Sequence, residues 1–117
     1  MIVRVSRARL RRDREDGAFE FLRKAASSAD RPDGMEAMFI ARRTAPGADE
    51  ILAITVWRDL NALIAVFGPT WSQPSFYAQL KEAIIDSTVE HFETIAERYE
   101  DLATLGLALD LDLEAGS

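Results

Sequence analysis

The spacing of apolar residues along the chain predicts strands and helices in alternation. Residues 2–10 alternate in the period of a strand. Residues 14–28 carry apolar side chains three and four positions apart, which predicts a helix with Asp13 as its N-cap. One side of the strand carries Ile2, Ser6, Ala8 and Leu10, and the helical stripe is formed by Phe19, Leu22 and Ala26.

A hairpin is predicted next. Residues 30–34 (DRPDG) are typical of a turn, and the segments 35–43 and 50–57 on either side of residues 44–49 have the composition of strands. The segment 50–57 (EILAITVW) is apolar on both parities. A strand of that kind is covered on both faces of its sheet.

The second half of the chain begins with a clearly bounded helix. Asp59 is a suitable N-cap, and Gly68-Pro69 ends the apolar stripe that follows. Pro74 suits the first turn of a further helical stretch that reaches to about residue 85. Residues 88–98 return to strand-like alternation.

The C-terminal segment 102–114 predicts an additional strand. Five leucines between residues 105 and 113 alternate with small or acidic residues. Because an exposed row of leucines promotes aggregation, this strand needs an apolar partner, either the chain's own sheet or a second subunit. We favour the second subunit, with segment 102–114 acting as a strand or dimerisation arm.

The element order predicts one α+β domain over residues 1–117. It corresponds to a ferredoxin-like βαββαβ arrangement, an antiparallel sheet with both helices on one face and an extra C-terminal strand. The strand 50–57 is nevertheless apolar on both sides. A second copy of the chain is therefore expected to cover the other face, so a homodimer is predicted.

The composition excludes several kinds of catalytic group and metal site. The chain of 117 residues is 48% hydrophobic and has no cysteine and one histidine, His91. These counts exclude disulfides, thiolate nucleophiles and cysteine-ligated metals, and they leave few ways to build a histidine metal site. No apolar run reaches the ~20 residues of a membrane span, and the arginine-rich start does not resemble a signal peptide. We expect a cytoplasmic protein without membrane contact.

Charge is unevenly distributed, with a balance of +3 over residues 1–58 and −9 over residues 59–117. Six arginines lie within the first fourteen positions, an arrangement that can neutralise nucleic-acid phosphates. However, acidic residues follow at once, no aromatic residue is interleaved, and the net charge of −6 repels a polyanion. No nucleic-acid partner is expected, and we interpret the arginine cluster as a solvated strand edge or loop.

Three segments resemble the antibiotic-biosynthesis-monooxygenase family, whose members are small domains of the dimeric α+β barrel class. The segments are 32–39 (PDGMEAMF), 54–59 (ITVWRD) with the following Ala62-Leu63, and 89–93 (VEHFE). The resemblance extends over about residues 2–99. It implies a homodimer and a small aromatic ligand bound between the sheet and the helices of each subunit.

The heme-degrading members of this family rely on an asparagine in the first strand, a tryptophan late in the second helical region and a histidine shortly after it. Here the first strand has Val3, Val5 and Ser6, the helix ends in residues 65–67 (AVF), and no histidine lies between residues 58 and 90. The resemblance therefore favours the cofactor-independent oxygenases of quinols or aromatic polyketides.

His91 is the candidate proton acceptor, because its ordinary pKa is near neutrality. Removing a proton from a phenol or hydroquinone leaves an electron-rich anion that can react with dioxygen directly. No metal or cofactor is therefore expected. The alternative is a half-buried strand histidine bonded to a neighbour such as Glu93 or to a backbone carbonyl.

The polyketide oxygenases of the family surround their substrate with asparagine, tryptophan, tyrosine and arginine side chains. The candidate ligand-binding residues of those types are Asn61, Trp57, Trp71, Tyr77 and Arg58. Trp71 lies in the helix-breaking segment 68–74, which is suited to form the lip of a pocket. Aromatic residues at such positions also occur in cores and dimer interfaces.

A non-catalytic function is the alternative hypothesis. The same dimer would then be a ligand sensor or structural partner, with its pocket filled by phenylalanines at positions 39, 67, 76 and 92. An open cavity of roughly a few hundred cubic ångströms that reaches His91 would favour the enzyme.

Overall fold

The computed structural model describes residues 1–28, 30–45 and 49–97, and four antiparallel strands form one sheet in it. The strands are β1 (Ile2–Leu10), β2 (Met35–Arg42), β3 (Glu50–Trp57) and β4 (Ile84–Glu93), in the spatial order β2-β3-β1-β4. The helices are α1 (Glu15–Ser27) and α2 (Leu60–Phe67). The ferredoxin-like βαββαβ fold is thus confirmed. The predicted strand 102–114 lies outside the described residues.

The helices pack on one face of the sheet and bury two apolar clusters there. The larger cluster joins α1 to the centre of the sheet, and the smaller one joins α2 to the end of β3. The larger contains Ala8, Leu10, Ala18, Leu22, Ile51, Leu80 and Ala83, and the smaller contains Trp57, Ala62 and Leu63. In the larger cluster, Ala8 of β1 lies opposite Ile51 of β3, and both side chains point toward the helices.

The start of α2 agrees with the sequence-based prediction. The Asp59 carboxylate accepts a hydrogen bond of 2.8 Å from the backbone N–H of Ala62, which is the expected N-cap contact. Gly68 ends the helix with a φ of 72°, a conformation that glycine adopts without steric cost. Within the described residues, no helix has the length and apolar character needed to cross a membrane.

Asp13 is not the N-cap of α1, so this prediction was wrong. A 3-10 turn over Arg12–Arg14 precedes the helix, and Arg14 occupies the cap position without a side-chain hydrogen bond. The backbone explains the difference. The N–H of Arg11 donates to the carbonyl of Ala83, the residue before β4, at 2.8 Å, and this bond holds the chain there as it leaves β1.

The helix predicted from Pro74 to about residue 85 does not form, so this prediction was also wrong. One 3-10 turn, Ala78–Leu80, takes its place, and β4 begins at Ile84, four residues earlier than expected. Ile84 pairs with Leu10 across a register shift in the sheet. Pairing with β1 satisfies the backbone polar groups, while Leu80 and Ala83 still reach the core from the turn.

The other sheet face carries a largely apolar surface, which we call the uncovered face. Two cross-strand rows form it, Ala37-Val56-Val3-Phe92 and Phe39-Ile54-Val5-Glu90. Phe39 is 60% exposed and Phe92 is 52% exposed. This arrangement agrees with the two-sided apolar pattern of the sequence in β3.

Candidate functional site

A cavity of about 430 Å³ lies between the sheet, α1 and the segment 75–77. Its walls are largely apolar and come from all three parts of the structure. The apolar lining includes Leu22, Met38, Ile40, Trp57, Phe67 and Phe76. Polar side chains interrupt this surface, namely Arg4, Ser6, Ser28, Asp30, Arg31, Thr55, Ser75 and Tyr77. Such a combination is typical of a site for a small organic molecule.

Arg4 is the buried charged group of this cavity, because it is only 2% exposed, whereas Asp30 and Arg31 in the lining are exposed. It points from β1 toward the segment that follows α2. Its Nη1 donates to the carbonyl oxygen of Trp71, and its Nη2 lies 3.3 Å from the carbonyl oxygen of Gln73 and 3.2 Å from the hydroxyl oxygen of Ser75. The guanidinium therefore fixes the segment 71–75 against the sheet.

The Arg4 guanidinium also contacts two rings. Its Cζ lies 4.0 Å from the centre of the Phe67 ring, which is a cation–π arrangement. Its Nη1 lies 3.0 Å from Nε2 of His91. Burial lowers the pKa of Arg4 below its ordinary value, but a guanidinium stays protonated in proteins. The group therefore remains a cation.

His91 is placed by β4 directly opposite Arg4 in the sheet. Because a guanidinium can only donate, the Nε2 of His91 must accept this hydrogen bond, which assigns the imidazole proton to Nδ1. The indole of Trp71 packs on the imidazole edge to face, with ring centres 5.0 Å apart. Burial, and then the charge of Arg4, lower the pKa of His91. The imidazole is therefore neutral at pH 7.

This lowered pKa predicts a loss of stability in weak acid. The unfolded chain binds a proton on His91 at about pH 6.5, while the folded chain resists it. The contribution of neutral His91 is thus complete above about pH 6.5 and is lost as the pH falls toward the lower folded pKa. We expect wild type to lose more unfolding free energy between pH 7 and 5 than His91→Gln, whose amide oxygen can still accept from Arg4. Urea unfolding at each pH measures the difference, and parallel curves would contradict it.

The structure places the sequence-predicted site residues in three different surroundings. Trp57 and Tyr77 line the cavity. Trp71 and His91 do not line it, but both contact Arg4, which does. Asn61 is exposed on α2 and does not line the cavity.

Arg58 also lies away from the cavity, at the junction of β3 and α2. Its guanidinium is half exposed and lies 3.6 Å from the Asp59 carboxylate and 3.9 Å from that of Asp33. These contacts connect the turn before β2 with the start of α2. Exposed ion pairs of this kind contribute little to stability.

Arg4 is the site residue that the sequence analysis missed. It belongs to the same strand parity as Ile2, Ser6, Ala8 and Leu10, and that parity faces the helices. An arginine on the buried side of a strand is unusual, because charged side chains are rarely buried without a purpose. Its place on the buried side of β1 could therefore have been recognised in the sequence. The neighbouring arginines instead favoured the interpretation of a solvated cluster.

The four phenylalanines that were expected to fill the pocket of a non-catalytic protein do not fill this cavity. Phe67 and Phe76 line it, whereas Phe39 and Phe92 lie on the uncovered face of the sheet. About 430 Å³ stays open as a result. This volume is toward the lower end of the roughly 300–1,000 Å³ found for small-molecule sites.

Comparison with known proteins gives similarity in structure but not in sequence. No protein-family model matches this sequence, and no curated protein matches it significantly. A structure from Deinococcus radiodurans, described as a "putative antibiotic biosynthesis monooxygenase", has a TM-score of 0.65 at 15% identity and covers 87% of this chain and 99% of its own. A protein from Nitrosomonas europaea with the same description has a TM-score of 0.65 at 13% identity, covering 82% and 100%.

A further match is a protein of unknown function from Nitrosomonas europaea, with a TM-score of 0.63 at 16% identity, covering 86% of this chain and 94% of its own. At such identities the likeness concerns the backbone, and proteins that share a fold can differ in activity. The α+β fold of this chain is therefore that of structures assigned to the antibiotic biosynthesis monooxygenases, which confirms the resemblance found in the sequence at the level of fold.

Proposed function

We propose that this protein binds a small aromatic ligand in the cavity and oxidises it with dioxygen without a cofactor. The observation that carries the proposal is the open cavity of about 430 Å³, with apolar walls and a few convergent polar groups. The ligand would be a quinol or a polyketide-like phenol, whose flat ring suits a space bordered by Phe67 and Phe76. The shared fold supports the same class of activity.

The chemistry requires one proton transfer before the reaction with dioxygen. A base removes the ligand's hydroxyl proton, and the resulting anion supplies the electrons that reduce dioxygen. His91 remains the proposed base, since its neutral form can accept a proton at pH 7. Its Nε2 lone pair is engaged by Arg4, so this role requires the Arg4–His91 contact to open when ligand binds.

Oxygen uptake against a panel of reduced quinols and polyketide-like phenols tests this proposal. Wild type, His91→Ala and His91→Gln are compared, because glutamine retains an acceptor for Arg4 but is not a base at neutral pH. Loss of about a hundredfold or more in both variants supports His91 as the base, within the range typical for general bases. Loss in alanine alone, with glutamine active, indicates that His91 only positions Arg4.

A non-catalytic binding protein is the second candidate function. One observation favours it, namely that His91 does not line the cavity. This candidate predicts ligand binding without oxygen uptake across the panel. Uptake by wild type that exceeds the spontaneous rate would overturn it.

We also propose that the protein is a homodimer that associates through the uncovered face. The support is physical, because two adjoining cross-strand rows expose Phe39 and Phe92 beside Ile54, Val56 and Val3. An apolar surface of this kind is unfavourable in water and is typical of an association site. The cavity lies on the opposite face of the sheet and would remain accessible in such a dimer.

A further inference from the structure

The charge of Arg4 has no counter-ion in the described part of the chain. Its hydrogen-bond partners are the carbonyl oxygens of Trp71 and Gln73, the Ser75 hydroxyl and the His91 imidazole, all of them neutral. The ion pairs of residues 1–28, 30–45 and 49–97 do not include Arg4. A buried cation is unfavourable unless an anion or several dipoles compensate it. Here only dipoles and one aromatic ring do so.

One edge of the guanidinium is less fully bonded than the other. Nη1 has the Trp71 carbonyl and the close imidazole nitrogen, whereas Nη2 has only the two longer contacts of 3.2 and 3.3 Å. Nε makes no hydrogen bond to any residue that the structure describes. The Nε–Nη2 edge is the one that a carboxylate commonly binds with both oxygens. Ser75, whose hydroxyl contacts Nη2, also lines the cavity.

We propose that Arg4 binds the negatively charged group of the ligand, and that the aromatic ligand proposed above carries a carboxylic acid in addition to its hydroxyl group. The inference rests on the proposed use of this cavity and adds the charge of its occupant. A carboxylate on the Nε–Nη2 edge replaces the two long contacts, and Ser75 and Gln73 are exposed enough to bond with water instead. The ring then occupies the apolar part of the cavity.

The cavity favours a single negative charge over the double charge of a phosphate. Among the residues that the structure describes, the only other cation in its lining is the exposed Arg31, and the carboxylate of Asp30 lines the cavity as well. A phosphate group generally needs several donors or cations, such as a helix N-terminus or a group of arginines. The single positive charge of one buried guanidinium in apolar surroundings is balanced by the single negative charge of one carboxylate.

Binding of 2-naphthoate and of 2-naphthamide, measured by isothermal titration calorimetry, tests this proposal. The two probes have nearly the same shape and differ in charge. We expect wild type to bind the acid at least about tenfold more tightly than the amide, as charge-assisted hydrogen bonds to arginine would require. Arg4→Met should weaken acid binding by about tenfold or more and leave amide binding within about threefold.

Arg23→Met is the matched control, because it removes the same charge from an exposed position on α1 outside the cavity. It should retain the preference for the acid. If Arg4→Met does not fold, Arg4→Lys replaces it. Lysine keeps the positive charge but lacks the paired Nε and Nη2 donors, so the preference for the acid should fall by about threefold or more. The comparison of the two probes on wild type needs no variant at all.

The outcomes show whether the role of Arg4 fails alone or together with the proposed ligand site. Equal binding of both probes, or an acid preference that survives in Arg4→Met, overturns the role of Arg4 while ligand binding stands. Failure of both probes to bind overturns the inference together with the proposed ligand site. An Arg4-dependent acid preference in a protein that consumes no oxygen supports the inference and leaves the non-catalytic function.

Discussion

Replacing Trp57 with alanine should lower the free energy of unfolding by about 3–5 kcal/mol, the range for removing a buried aromatic side chain. Trp57 is 0% exposed and is the largest side chain of the cluster that joins α2 to the sheet. Its ring meets Phe67 edge to face at 5.7 Å, and its Nε1 donates to the Thr55 hydroxyl at 2.9 Å. Alanine removes both contacts and leaves a void beside the cavity.

This loss is a large share of the roughly 5–15 kcal/mol that stabilises a typical domain. Urea unfolding followed by circular dichroism measures it. Tyr77→Ala is the control, since Tyr77 also lines the cavity but is 46% exposed and contacts Phe21 only through a ring edge. The control should cost about 1 kcal/mol or less. A Trp57→Ala variant as stable as the control would show that α2 does not depend on this cluster.

Replacing Ile54 with glutamate should convert the proposed dimer into a monomer. Ile54 lies on the uncovered face between Val5 and Phe39, at the centre of one cross-strand row. A carboxylate buried between two apolar surfaces loses its hydration, and this desolvation costs several kcal/mol. We therefore expect the dissociation constant of the dimer to rise at least about a hundredfold.

Light scattering on a sizing column measures this change. Wild type should give twice the 13.1 kDa mass of one chain at micromolar concentration, and Ile54→Glu should give that mass once. Leu60→Glu is the control, because it introduces the same charge at a partly exposed apolar position of α2, away from the uncovered face. It should remain dimeric. A wild-type protein that is monomeric at this concentration would overturn the dimer proposal.

Local patterns predicted most of the fold. The alternation in residues 2–10, the turn at residues 30–34 and the cap at Asp59 all correspond to elements of the structure. The same reasoning was wrong at Asp13 and between Pro74 and residue 85. In the second case the helical spacing of apolar residues was real, but a turn followed by a paired strand also buries Leu80 and Ala83 and packs Ile84 against the same cluster.

The candidate site was predicted only in part. Trp57 and Tyr77 line the cavity, but Asn61 and Arg58 were chosen by residue type and lie elsewhere. His91 and Trp71 are brought together around Arg4, a residue that the sequence analysis treated as part of an exposed arginine cluster. Residue type alone does not say which members of a charged cluster face the interior.

The amino-acid sequence by itself determined the order of the strands and helices, the ends of α2, and the apolar character of both sides of β3, because these depend on contacts between near neighbours and on side-chain periodicity. The tertiary structure decided where β4 begins, which candidate residues meet, and that Arg4 is buried beside His91 at the wall of a cavity. Residues 4, 71 and 91 are distant in the chain. They come together only when β1 pairs with β4 and the segment after α2 closes over that pair, so no local pattern records their contact.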